Sequence, residues 1–248
     1  MKTKRLFLIV MIGLSGFITT AWGTIYYVDA AAPPGGSGTS WGDAFDTIQE
    51  AVNAANPIWL ICTAPNDQVW VKAGTYTLSS QITLGSADGI YGGFNGTETN
   101  LSQRDWVANE TIIDGNSTTR CVHMAGYSIL DGFTIRNGWL ASGSGGGVYV
   151  DATPVDCGFS GYLSPFVQNC KFYNNSASSG GAIYDDGADV HIRNCMFYSN
   201  EAGTGGAIYH LYSGTEVTKC TFHNNLSSSP GSLGGGAIGG FSHNTTTD

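Results

Sequence analysis

Apolar residues recur along the C-terminal half of this chain at an interval too long for a helical period and too regular for isolated hairpins. Val167-Gln168-Asn169-Cys170-Lys171-Phe172-Tyr173-Asn174-Asn175 is followed by Ile192-Arg193-Asn194-Cys195-Met196-Phe197-Tyr198-Ser199-Asn200, then by Val217-Thr218-Lys219-Cys220-Thr221-Phe222-His223-Asn224-Asn225, each block offset by 25 residues. After each comes a glycine pair with a short apolar run: Gly180-Gly181-Ala182-Ile183-Tyr184, Gly205-Gly206-Ala207-Ile208-Tyr209 and Gly235-Gly236-Ala237-Ile238. The last offset is 30, because five extra residues fall within 226–234. Insertions that leave the flanking columns in register are loops on a solenoid.

One period predicts three short strands. The first ends at Val167, Ile192 or Val217; the second carries Cys and Phe two apart, hence on one face; the third carries Ala-Ile-Tyr. Asn169 and Asn194 mark the first bend, Asn175, Asn200 and Asn225 the second, and the glycine pairs the third. Asn tolerates left-handed backbone, and Asn stacked at equal bends is expected to hydrogen-bond from coil to coil. A 25-residue unit cannot bury its own apolar face, so stacking must supply the core. The fold class expected is all-β: a right-handed parallel β-helix of about 25 residues per coil.

Upstream the pattern loosens. Asp131-Gly132-Phe133-Thr134-Ile135-Arg136-Asn137-Gly138 with Gly145-Gly146-Gly147-Val148-Tyr149 reads as another coil, and 151–165 as an inserted loop. Thr111-Ile112-Ile113-Asp114-Gly115 and Val69 to Tyr76 read as earlier coils, and 24–28 as a strand. Residues 44–55 read as one helix with Phe45, Ile48, Val52 and Ala55 on a single face. Such a helix would cover the first coil's open edge. One β-helix domain is expected over 24–248, with the cap and first coils in 24–110 and the repeat coils in 111–248. The chain stops partway through a coil in this register, which reads as a C-terminal truncation.

The N-terminus has a different character. Lys2, Lys4 and Arg5 precede an apolar run at 6–18, and Ala21-Trp22-Gly23 supplies small residues for cleavage. This is a signal-peptide pattern ending at Gly23; the run is short for a membrane span. Of 10 basic and 19 acidic residues, the leader holds three basic and no acidic ones, so the mature chain carries 7 against 19, a net charge of −12. That surface repels nucleic acid and anionic lipid. Six cysteines in an exported chain suggest disulfides. Cys170, Cys195 and Cys220 share one repeat position and read instead as stacked core residues. Cys62, Cys121 and Cys157 follow no spacing rule, and a Cys121–Cys157 bridge stays open.

The paired Phe-x-x-Asn and Gly-Gly-Ala-Ile units, three times over across about 165–240, resemble the repeats of polymorphic outer-membrane proteins within the pectin-lyase-like β-helix group. Tyr26-Tyr27-Val28-Asp29, Ser40-Trp41, and Tyr91-Gly92-Gly93-Phe94-Asn95-Gly96-Thr97-Glu98 with Arg104-Asp105-Trp106 resemble the opening of bacterial secreted β-helix proteins. The resemblance implies secretion or an outer-membrane or cell-surface location. It implies adhesion in some members and polysaccharide cleavage in others. Members of that type usually carry more coils and a C-terminal anchor; none is recognised here, which fits the expected truncation and puts membrane attachment in doubt.

Candidate chemistry is sparse. Asp185, Asp186 and Asp189 are the catalytic or metal candidates, with calcium the one cofactor they would take; the plainer reading is a solvated Asp/Gly turn. Arg193 is the cation that a lyase reading would use, and Lys219 and a His191–Glu216 pair lie near it; an exposed ion pair explains them equally. Two outward aromatic columns, Tyr173–Tyr198–His223 and Tyr184–Tyr209, are the binding candidates, able to grip a sugar or a protein, against a plain β-propensity reading. The Asn95 and Asn116 glycosylation triplets carry little weight. The expected function is a non-catalytic secreted or surface module that binds polysaccharide or a host or neighbouring surface protein. The alternative is a polysaccharide lyase or glycoside hydrolase.

Overall fold

A computed structural model describes residues 23–55, 67–85, 89–152, 164–229 and 235–241. The leader, Cys62 and Cys157 therefore lie outside the described residues. Every strand pairing is parallel, and successive coils stack as the repeat requires. The chain is a parallel β-helix.

Sheet 1 holds seven strands: Ile25–Val28, Gln68–Lys72, Gly89–Phe94, Ile129–Asp131, Phe166–Gln168, His191–Arg193 and Glu216–Thr218. Sheet 2 holds six: Gly74–Thr77, Thr111–Asp114, Phe133–Arg136, Lys171–Tyr173, Met196–Tyr198 and Thr221–His223. Sheet 3 holds six: Ile82–Leu84, Val122–Ala125, Val148–Asp151, Ile183–Asp186, Ile208–Leu211 and Ile238–Phe241. A fourth sheet, Ser176–Ser179, Glu201–Thr204 and Leu226–Ser227, lies between sheets 2 and 3 in the last three coils. The sequence reading of three strands per coil missed it. These strands turn only Ala177 and Ala202 deep into the protein, so no apolar alternation announces them.

Inward columns form one continuous core. Phe172, Phe197 and Phe222 stack with ring centroids 4.9 Å apart at each step, planes 7° from parallel. Val167, Ile192, Ile183 and Ile208 are wholly buried beside them. Cys170 and Cys195 are buried and Cys220 half-buried, all as free thiols in the expected stack. Cys121 is also a free, buried thiol.

The bends divide labour in a way the sequence did not show. The left-handed residue at the second bend is Asn174, Ser199 or Asn224, with φ 54°, 54° and 51°. The following Asn175, Asn200 and Asn225, expected both to take that geometry and to bond from coil to coil, do only the second: they turn inward as a ladder. Asn175 Nδ2 donates to Asn200 Oδ1 (3.0 Å) and Asn200 Nδ2 to Asn225 Oδ1 (2.9 Å). Each also donates to the previous coil: Asn200 to the Phe172 carbonyl and Asn225 to the Phe197 carbonyl, both 3.0 Å. That cross-coil bond explains the Phe-x-x-Asn spacing. In the glycine pairs the first glycine is left-handed (Gly180 φ 60°, Gly205 φ 59°). The second makes a close approach: a Cβ on Gly206 would sit 2.4 Å from the Gly236 carbonyl oxygen.

The N-terminal end is closed by the helix Ile48–Ala54, which packs on the first strands of sheets 1 and 3. It is shorter than the expected 44–55. Thr47 caps it by accepting from the Glu50 N–H, and Phe45 is held in extended backbone against Val28. Outside sheet 1, Trp70, Tyr91 and Phe94 form a second apolar cluster with Trp41 and Leu101. Arg104 closes it from above: it lies over Tyr91 and Trp106 and pairs with buried Asp131 at 2.5 Å.

Candidate functional site

The carboxylates singled out from the sequence do not converge. Asp185 pairs in register with Val150 and points inward, where it is fully buried. Its two oxygens accept from the Ala188 N–H (2.8 Å), the Val190 N–H (3.2 Å) and the Thr215 hydroxyl of the next coil (2.6 Å). Asp185 staples a turn. Asp186 faces outward and accepts from the Tyr149 hydroxyl at 2.5 Å. Asp189 is a left-handed turn residue whose carboxylate accepts from the Gly214 N–H. Among the described residues, no group of three or more His, Cys, Asp or Glu is placed to hold a metal ion.

Arg193 and His191 both reach Glu216 of the next coil, at 3.2 and 2.6 Å. Both also pack on Phe166, Arg193 with its guanidinium 5.5 Å from the ring centroid and His191 stacked at 4.9 Å. The two partners hold the exposed Glu216 carboxyl below its usual range. Lys219 occupies the first bend in register with Asn194, left-handed and exposed.

The aromatic columns are real, and longer than the repeat alone showed. On sheet 2 one outward column runs Asp114, Arg136, Tyr173, Tyr198, His223. Arg136 donates to Asp114 (2.7 Å) and to the Tyr173 hydroxyl (2.9 Å). Partial burial pushes the Asp114 carboxyl up, but hydrogen bonds from Asn137, the Asn116 N–H and Arg136 together hold it below the usual carboxylate range. The neighbouring column runs Thr134, Lys171, Met196, Thr221, with Glu110 bridging Thr134 and Lys171 at 2.8 and 3.1 Å. On sheet 3 a second column runs His123, Tyr149, Tyr184, Tyr209. His123 pairs diagonally with Asp151 (2.8 Å), as Tyr149 does with Asp186. Burial and the Asp186 bond both raise the Tyr149 phenol well above its ordinary value.

Ring orientation decides what these columns can do. Tyr173 and Tyr198 stack face to face at 4.9 Å, 13° from parallel; Tyr149–Tyr184 and Tyr184–Tyr209 do so at 5.4 and 5.6 Å. The faces between neighbouring rings are taken up by one another, and the Tyr173 and Tyr149 hydroxyls are already bonded to Arg136 and Asp186. Tyr184 and Tyr209 are nearly buried. Sequence reasoning missed Asp114, Arg136, Glu110 and Tyr149 as members of these faces. The available signal was positional: Arg136 follows inward Ile135 as Tyr173 follows inward Phe172.

Residues 169–186, one Phe-x-x-Asn unit and one Gly-Gly-Ala-Ile unit, match the repeat of the Chlamydia polymorphic membrane protein. No curated protein and no solved structure gives a match. The chain is thus a parallel β-helix with repeats like those of the polymorphic membrane proteins. No helix among the described residues is long and apolar enough to cross a membrane.

Proposed function

We propose that this chain is an exported, surface-displayed β-helix that serves adhesion: a rigid module binding a glycan or a partner protein without chemical turnover. The observation that carries this reading is the outward face of sheet 2. Its side chains sit in straight columns across successive coils, with Asp114, Arg136, Tyr173, Tyr198 and His223 in one and Lys171 and Met196 in the next. Columns fixed by the parallel register give a preorganised surface, which lowers the ordering cost of recognition. The likeness of residues 169–186 to a membrane-protein repeat supports a place at the cell surface.

The test is an array of glycans and surface proteins probed with residues 24–248, with and without calcium, followed by a product assay on each polysaccharide retained. Retention without product is expected. It should survive a chelator, because Asp185 and Asp189 already accept from backbone amides. New reducing ends or unsaturated uronates would overturn the reading in favour of a hydrolase or lyase. They would direct attention to the Glu110–Lys171 and Asp114–Arg136 pairs. No retention in any arm would also overturn it.

A further inference from the structure

Trp139 differs from the aromatic residues stacked along the coils. It is 43% exposed, its ring packs on no other aromatic ring, and its indole N–H has no hydrogen-bond partner among the described residues. Its position has a definite cause. Sheet 4 meets the preceding coil at only two bridges, Trp139↔Ser176 and Ser144↔Ser179. Five residue steps on one side face three on the other, so that coil carries two extra residues where the later coils have a regular strand. The extra residues prevent a fourth parallel strand and leave Trp139, Leu140 and Ala141 as a rim.

Below that rim lies a groove floored by sheet 4. Parallel register sets Trp139, Ser176, Glu201 and Leu226 in one row, and Ser178 beside Gly203 in the next, with Ser228 also lining the groove. At one coil per about 4.8 Å, the first row spans about 14 Å between an exposed Trp and an exposed Leu. Between those apolar ends stand hydroxyls and one carboxylate. Glu201 is exposed, and its carboxylate makes no ion pair or hydrogen bond among the described residues. Gly203 keeps the floor low, since a Cβ there would meet the Ser178 carbonyl oxygen at 2.7 Å.

We infer that this groove is a binding site for a neutral oligosaccharide. A sugar ring offers an apolar C–H face and a rim of hydroxyls. The groove answers with an open indole face for the first, and with the Glu201 carboxylate and serine hydroxyls for the second. The only charge in the groove is negative, on a chain with 19 acidic and 10 basic residues, so acidic glycans are disfavoured. The floor of the groove is hydroxylated, unlike the apolar centre of a protein interface. The inference rests on the glycan branch of the proposed function. It places the sugar contact at Trp139 and leaves the sheet 2 face to the protein branch of that reading.

The test is affinity electrophoresis and tryptophan fluorescence on residues 24–248 with xylan, mannan, laminarin, starch and soluble cellulose, beside polygalacturonate and alginate. Retention by at least one neutral polysaccharide, with a blue shift in emission, is expected. Trp139→Ala should weaken it at least about tenfold, the equivalent of about 1.4 kcal/mol, and Glu201→Gln by a few-fold. Val107→Ala, an exposed apolar residue on neither the groove nor sheet 2, should leave it unchanged. Thermal midpoints within a few degrees of the parent verify folding, and Trp139→Phe, which keeps a ring face, should recover part of the affinity. Undiminished retention by Trp139→Ala would refute the groove while leaving a glycan-binding module intact. Retention of acidic glycans alone would refute neutral-sugar specificity. Retention of no polysaccharide would refute the groove and the glycan branch together, leaving only a protein partner.

Discussion

Replacing Asn200 by Ala is the most direct assay of what holds one coil to the next. Asn200 is fully buried and makes four side-chain bonds across coils. Its Oδ1 accepts from the Asn175 N–H (3.2 Å) and Asn175 Nδ2 (3.0 Å). Its Nδ2 donates to the Phe172 carbonyl (3.0 Å) and to Asn225 Oδ1 (2.9 Å). At about 1 kcal/mol net for each bond the loss is about 4 kcal/mol, with the buried partners left unpaired pushing it upward. The expected cost is therefore about 3–5 kcal/mol against a total stability of about 5–15. Asn225→Ala should cost less, because the last coil is partly exposed and water can replace its bonds. Urea unfolding followed by circular dichroism gives the midpoint shift. Hydrogen exchange of amides in the flanking coils shows whether the damage is local, as nearest-neighbour stacking requires. A loss below about 1 kcal/mol for Asn200→Ala would refute the ladder as a stabilising element and leave the Phe-x-x-Asn spacing unexplained.

The phenylalanine stack makes a companion prediction. Phe197 lies between two rings at 4.9 Å on either side, so Phe197→Ala should cost about 3–5 kcal/mol in the same assay; a cost near zero would mean the column does not face inward. Acid should weaken sheet 2 through Asp114. Its carboxyl is depressed in the folded chain, so its contribution is full above the ordinary carboxylate range and is lost as pH falls through the lower folded value. Thermal midpoints should fall below about pH 4, and Asp114→Asn should flatten that part of the profile. An unchanged acid limb in Asp114→Asn would refute the contribution.

The fold was legible because the repeat writes each inward column three times at one spacing. Phe172, Phe197 and Phe222 could be aligned without structure, and so could the glycine pairs. What escaped notice lacked either repetition or apolar character. Sheet 4 reads Ser176-Ala177-Ser178-Ser179 and Glu201-Ala202-Gly203-Thr204, polar enough to pass for loop. Asp185 reads in sequence as part of a solvated Asp/Gly turn, with nothing to set it apart from Asp186 and Asp189. Its burial is tolerated only because two backbone amides and Thr215 satisfy it. The upstream members of the outward faces lie at offsets other than 25, Arg136 pairing with Tyr173 and Tyr149 with Tyr184. Insertions hide such registers from any fixed-period alignment. The register of the tyrosine columns is legible in the repeat, whereas the ring planes are not.

Those ring planes carry a wider consequence for recognition on a parallel β-helix. Identical aromatic residues on adjacent coils sit one strand spacing apart, close enough to satisfy each other's faces. The more perfect the repeat, the less open aromatic face it leaves for a ligand, and the column becomes a brace. An open face requires an interruption. Here the row headed by Trp139 supplies one: its register partners are Ser176, Glu201 and Leu226, none of them aromatic, so no ring covers the indole. In this chain, regular repetition provides rigidity, and the departure from it provides the exposed chemistry.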